Sequence, residues 1–188
     1  MTESNRGGRV RSSPAVRLLV GALMVSLVLG GALVLTHALR SPSDTINHPA
    51  HPLTDDQARA QVVESARQIV AITQLRRASG GYTFLSCKNE SDPPYQGAAN
   101  MTFELPGDAV GYFQRIADTL AARGWSEGLP PNQYAFGKTL SKDGVTAIFY
   151  RSSDYLNVGI VKLYGECRNM SNHRNDDPAW TDITLQAP

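Results

Sequence analysis

Few side chains in this sequence have both the type and the spacing to do chemistry. His173, Asp176 and Asp177 come closest to a cluster. An imidazole and two carboxylates can bind a divalent metal or divide acid and base roles. Their spacing matches no fixed ligand geometry, and the stretch from Arg168 to Pro188 is polar without apolar period, so it reads as a solvated tail. His48 and His51 stand three apart in a linker that offers no further ligand, so they cannot fix a metal. Ser152 and Ser153 are the available nucleophiles, but no Gly-x-Ser-x-Gly elbow surrounds them. Gly80-Gly81 is isolated and precedes a strand, unlike a phosphate-cradling loop. The residues therefore point to no catalytic group, no bound metal and no cofactor. Asn89-Glu90-Ser91, Asn100-Met101-Thr102 and Asn169-Met170-Ser171 fit a glycosylation pattern that arises cheaply by chance.

Two stretches look suited to recognition instead. Asp92-Pro93-Pro94-Tyr95 can form a polyproline segment or a stiff surface loop. Tyr82 and Phe84 alternate on one face of a strand beside it, which places aromatic side chains next to a Pro-rich loop. Cys87 and Cys167 are the two cysteines, 80 positions apart. If both are exported, an oxidising compartment favours their pairing. The chain-entropy model assigns such a loop roughly 4–5 kcal/mol.

Export is read from the N-terminal region. From Leu18 to Leu39 the sequence has no Asp, Glu, Lys or Arg, and Arg17 and Arg40 bracket it. As a helix, this run would cover roughly 33 Å at ~1.5 Å per residue, enough to cross a ~30 Å hydrocarbon core. A cleaved signal peptide is the rival reading, with Thr36-His37-Ala38 as a weak cleavage site; the uninterrupted length favours retention. Residues 1–17 hold four arginines and one glutamate, a net +3, whereas 41–188 hold 13 basic and 16 acidic residues, a net −3. The positive-inside rule then puts the N-terminus in the cytoplasm and the rest outside. A slightly acidic domain argues against nucleic acid as a partner.

The organisation that follows is a tail (1–17), a transmembrane helix (18–39), a linker (40–53) and one domain (54–188) whose tail starts near 168. About 135 residues suffice for one core. Thr54 and Gln57 form a capping-box pattern ahead of an apolar stripe at Val62, Ala66, Ile69 and Val70, closed by Gly80-Gly81. Strands are expected over 82–88 and 101–105. Asp108 caps a second helix with Phe113, Ile116 and Leu120 inward and Gly124 as its stop. Strands over 133–140, 145–151 and 158–167 complete the pattern, with Lys142-Asp143-Gly144 as a hairpin turn. The expected fold class is α+β, in the order α-β-β-α-β-β-β. It has an N-terminal transmembrane helix, then one five-stranded antiparallel sheet with both helices on one face.

Three runs carry a family resemblance: 51–58 (HPLTDDQA), 92–97 (DPPYQG) and 165–169 (GECRN). With these, the chain resembles the mycobacterial lipoproteins of the LppJ family from about His51 into the tail. Gly31 stands where that family carries its acylated cysteine, so there is no sulfur to acylate at that position. The resemblance implies a cell-envelope protein and transfers no active-site residue. The function expected is a membrane-anchored extracytoplasmic domain, on the cell membrane, that binds an envelope protein or component without catalysis. The expected contact surface is the helix-free sheet face with the 88–100 loop, and Tyr82, Phe84, Asp92, Pro93, Pro94 and Tyr95 are the candidate binding residues. Two alternatives are a carrier or sensor of a small apolar ligand between helices and sheet and, less favoured, a metal-dependent hydrolase using the His173 region.

Overall fold

The computed structural model describes residues 49–185 except Glu90, Ser91 and Ala135. The expected membrane span and cytoplasmic tail lie outside the described residues, as does His48. No helix among the described residues is long and apolar enough to cross a membrane.

Helix α1 spans Asp55–Thr73 and α2 spans Ala109–Ala121. The strands are β1 Ser79–Ser86, β2 Tyr95–Glu104, β3 Ser126–Glu127, β4 Lys138–Lys142, β5 Val145–Arg151, β6 Val158–Tyr164 and β7 Thr181–Asp182. They form one antiparallel sheet in the order β3-β4-β5-β6-β2-β1-β7. The expectation of five strands is thus corrected to seven among the described residues. The two additions, β3 and β7, are two-residue edge strands. Too short to show alternation, they exist because a neighbouring strand offers an unpaired edge.

The α1 capping box is present: Thr54 Oγ1 accepts from the Gln57 N–H, and Gln57 Oε1 accepts from the Thr54 N–H. The helix ends earlier than Gly80-Gly81. Gln74 takes a left-handed conformation (φ 54°), and Leu75 turns into the core at 6% exposure. The two glycines serve the sheet instead. A Cβ on Gly80 would lie 2.4 Å from the Asn100 carbonyl oxygen, and one on Gly81 would lie 3.0 Å from the Thr181 oxygen and Trp180 Cβ. Asp108 caps α2, and Gly124 (φ 87°) ends its last turn so that the Trp125 N–H returns to the Leu120 carbonyl.

The third expected strand is shorter than 133–140. Pro131 to Tyr134 form a turn instead, with Tyr134 N–H bonded to Pro131 O; Gly137 N–H bonds Tyr134 O, and pairing begins at Lys138. The core lies between sheet and helices, built from Met101, Phe103, Phe149, Val161 and Leu163 against Val62, Ile69, Phe113 and Leu120. On the opposite, helix-free face, the pairing sets Asn100, Lys162 and Ile148 in one cross-strand row. There Tyr134 stacks on Tyr150 with centroids 3.7 Å apart. Burial first, then the neighbouring Tyr134, raises the Tyr150 phenol above its usual value.

Candidate binding site at the β1 edge

The register moves the candidate aromatics away from the expected surface. Tyr82 pairs with Ala99 and Phe84 with Gly97, so both share the helix-covered face with Met101. Tyr95 is on that face too, and only 2% exposed. The expected contact surface, the open face carrying these rings, is therefore not what the pairing builds. The rings gather instead where β1 runs out and the C-terminal tail crosses the sheet.

The tail is held from its beginning. Gly165 N–H donates to Gly97 O, and Cys167 is bonded to Cys87, with Cα atoms 6.0 Å apart. The pairing expected of the two cysteines is thus present. It joins the end of β1 to the segment after β6, and both strands flank β2 in the sheet. Asn169, fully buried, exchanges backbone hydrogen bonds with Tyr95 at 2.7 and 3.0 Å and bridges to Leu53. Its Nδ2 donates to Asp55 Oδ1 at 2.8 Å, and its Oδ1 accepts from the Ser171 N–H at 2.7 Å. A buried amide with both ends bonded costs little; stripped of either partner it would cost the full desolvation of the group left behind.

His173 follows, with its side chain 6% exposed. The ring stacks on Phe84 at 4.0 Å and meets Tyr95 edge-on at 5.0 Å. Nδ1 lies 2.7 Å from Asp176 Oδ2. Nε2 lies 3.4 Å from Asp55 Oδ1, within ion-pair range, but makes no hydrogen bond. Hydrogen bonds from Ser171 and Asn169, with His173 close by, hold the Asp55 carboxyl below its usual value despite burial. Asp92 is lowered in the same sense, first by its bond from Asn89, then by Arg174, whose Nη2 lies 3.0 Å away. Pro94 is buried, and its carbonyl accepts from the Cys87 N–H.

The chemistry of this cluster is that of a clasp. The two imidazole nitrogens face two different carboxylates instead of converging with them on one point. Among the described residues no group of three or more His, Cys, Asp or Glu side chains could hold a metal. Asp177 accepts from the Ala179 N–H. Ser152 is buried, and its Oγ accepts from the N–H groups of Asp154 and Tyr155, which makes it a turn residue.

Beyond His173 the tail reaches β7, which pairs with Gly81 and Tyr82, and then Ile183 and Leu185 return to the core. Between the tail and β1 lies an open slot of about 410 Å³ lined by Tyr82, Thr83, Phe84, Asp176, Asp177, Ala179, Trp180 and Thr181. Tyr82 and Phe84 thus line this slot. Asp92 braces the tail through Arg174, whereas Pro94 and Tyr95 support from beneath. No periodicity in the polar tail marked Trp180, Asp176 or Asp177 as slot residues.

Residues 54–186 match the family described as "Putative lipoprotein LppJ". The chain belongs to the LppJ family. Proteins of that description from Mycobacterium tuberculosis and Mycobacterium bovis are each 46% identical to it over 170 residues, covering 89% of both chains. No solved structure matches. The three runs that carry the resemblance meet at this one end of the domain. Leu53, Tyr95 and Asn169 are bridged there, and the Ala58 carbonyl sits so close over Gly97 that a Cβ would be 2.3 Å from it.

Proposed function

We propose that the domain is a non-catalytic binding module of the cell envelope, associated with a membrane, and that it contacts its partner through the slot beside β1. Membership in a family of lipoproteins supports the envelope setting. The observation that carries the contact site is the slot itself. Exposed Trp180 and the partly exposed rings of Tyr82 and Phe84 line it, on a frame fixed by the disulfide and Asn169. Aromatic side chains held rigidly at a surface give contact area at small entropic cost.

The carrier reading has less support. The space between helices and sheet is filled by Phe113, Phe149, Leu120 and Leu140, each fully buried, and the well-formed depressions open to solvent. The deciding experiment places a photo-crosslinking amino acid at Trp180 and, as control, at Asp118 on exposed α2. In intact cells a discrete adduct is expected from Trp180 alone. Equal adducts from both positions, or none, would retire this site.

A further inference from the structure

The slot borders something more specific than aromatic surface: a stretch of strand edge with no partner. Backbone groups in an antiparallel strand point alternately toward one neighbour and the other. The Cys87 N–H bonds Pro94 O, so odd-numbered residues of β1 face β2. Even-numbered residues face outward, as the bond from Ile183 N–H to Gly80 O confirms. Tyr82 is then covered by β7, but β7 stops there. Phe84 and Ser86 come next, and their outward N–H and C=O groups have no backbone partner among the described residues.

The tail cannot close this edge itself. In continued register Ala179 would oppose Phe84, Pro178 would oppose Leu85 and Asp177 would oppose Ser86. Pro178 has no N–H and a fixed φ, and it breaks the strand. The Ala179 N–H turns back onto Asp177 Oδ1 at 2.9 Å instead. The bulge that results is the outer wall of the slot, and its charged residues are Asp176 and Asp177. Asp176 Oδ2 is held by His173 Nδ1, and Arg174, the nearest arginine or lysine in sequence, is turned away to Asp92.

We propose that Phe84 and Ser86 take up one added strand from an extended polypeptide bearing lysine or arginine, its backbone bonded to β1 and its cation directed to Asp176 and Asp177. This rests on the slot being the contact site. Strand addition draws affinity from main-chain bonds and specificity from the side chains alongside. Trp180, 43% exposed, offers a face to the same cation. A second copy of this chain is the poorer occupant, since edge-to-edge pairing would bring another Asp176 and Asp177 against the first pair.

The test uses the full chain in detergent and a fluorescent peptide, Thr-Val-Lys-Val-Lys-Val, followed by anisotropy and amide hydrogen exchange. The peptide should bind and slow exchange at the Phe84 and Ser86 amides. Exchanging its lysines for glutamate, or N-methylating the amides on both of its edges, should abolish binding. Asp177→Asn should weaken it about fivefold, the scale of one exposed ion pair. Absent binding, equal binding of all three peptides, or unchanged exchange at Phe84 and Ser86 would overturn the proposal. So would concentration-dependent dimerisation that Leu85→Lys abolishes. If Trp180 still crosslinks a partner in cells while the peptide tests fail, the site stands and the strand-addition mechanism falls; if Trp180 crosslinks nothing, the site itself fails.

Discussion

The two ends of the sheet are built on different principles. β2 runs from Tyr95 to Glu104, roughly 33 Å at ~3.3 Å per residue, and connects them. At the Tyr95 end the chain enters through Leu53, and the disulfide, Asn169, the capping box and the His173 clasp lie together. Gln61 joins them, donating to Glu166 Oε2 and accepting from the Glu166 N–H at 3.0 Å each. At the Glu104 end are the loops after β3 and β5 and the start of α2. They carry Val110, Leu129, Phe136, Tyr155 and Leu156, all more than half exposed. One end is fixed by directional polar bonds and a covalent link; the other holds apolar side chains that the core does not use. Chain segments remote in sequence need specific bonds to stay together, whereas hairpin turns are already fixed by their strands.

That contrast predicts where damage will register. The largest effect belongs to the disulfide. Replacing Cys87 and Cys167 by Ser should lower unfolding free energy by roughly 2–5 kcal/mol, read from urea denaturation. Asn169→Ala should follow at about 1–3 kcal/mol, because it removes one donor from Asp55 and leaves the Ser171 N–H without its acceptor. Thr54→Ala should cost about 1 kcal/mol through the lost cap.

Acidification should also act at the entry end. Asp55 has a lowered folded-state pKa, so its contribution is present above the ordinary carboxyl value and is lost as pH falls through the lowered one. With its side chain 53% exposed, the effect should be modest. A urea midpoint that falls less on acidification in Asp55→Asn than in the wild type would show it. At the far end, Leu129→Ser, Phe136→Ser and Leu156→Ser should each stay within about 0.5 kcal/mol of wild type. A loss of several kcal/mol from any of them would erase the distinction between the ends.

Much of the framework was legible because its signals are local. Thr54 with Gln57, Asp108 and Gly124 act within a few residues of themselves, and β5 alternates in burial from Val145 to Phe149. The edge strands were not legible: two residues such as Thr181 and Asp182 carry no period, and they pair because β1 happens to be open beside them. The candidate site was half legible. Tyr82, Phe84 and the Pro-Pro-Tyr run were marked by composition, but their face was misjudged, since which side of a strand is covered depends on where the helices lie.

The sequence by itself determined both helix starts, the turn at Asp143-Gly144 and the availability of two cysteines to pair, all through short-range stereochemistry and composition. Only the tertiary structure decided that His173 would be walled in by Phe84 and Tyr95, and that Pro178 would leave Phe84 and Ser86 unpaired. Those outcomes depend on where a tail lands after passing more than 80 intervening residues, and no local preference encodes that.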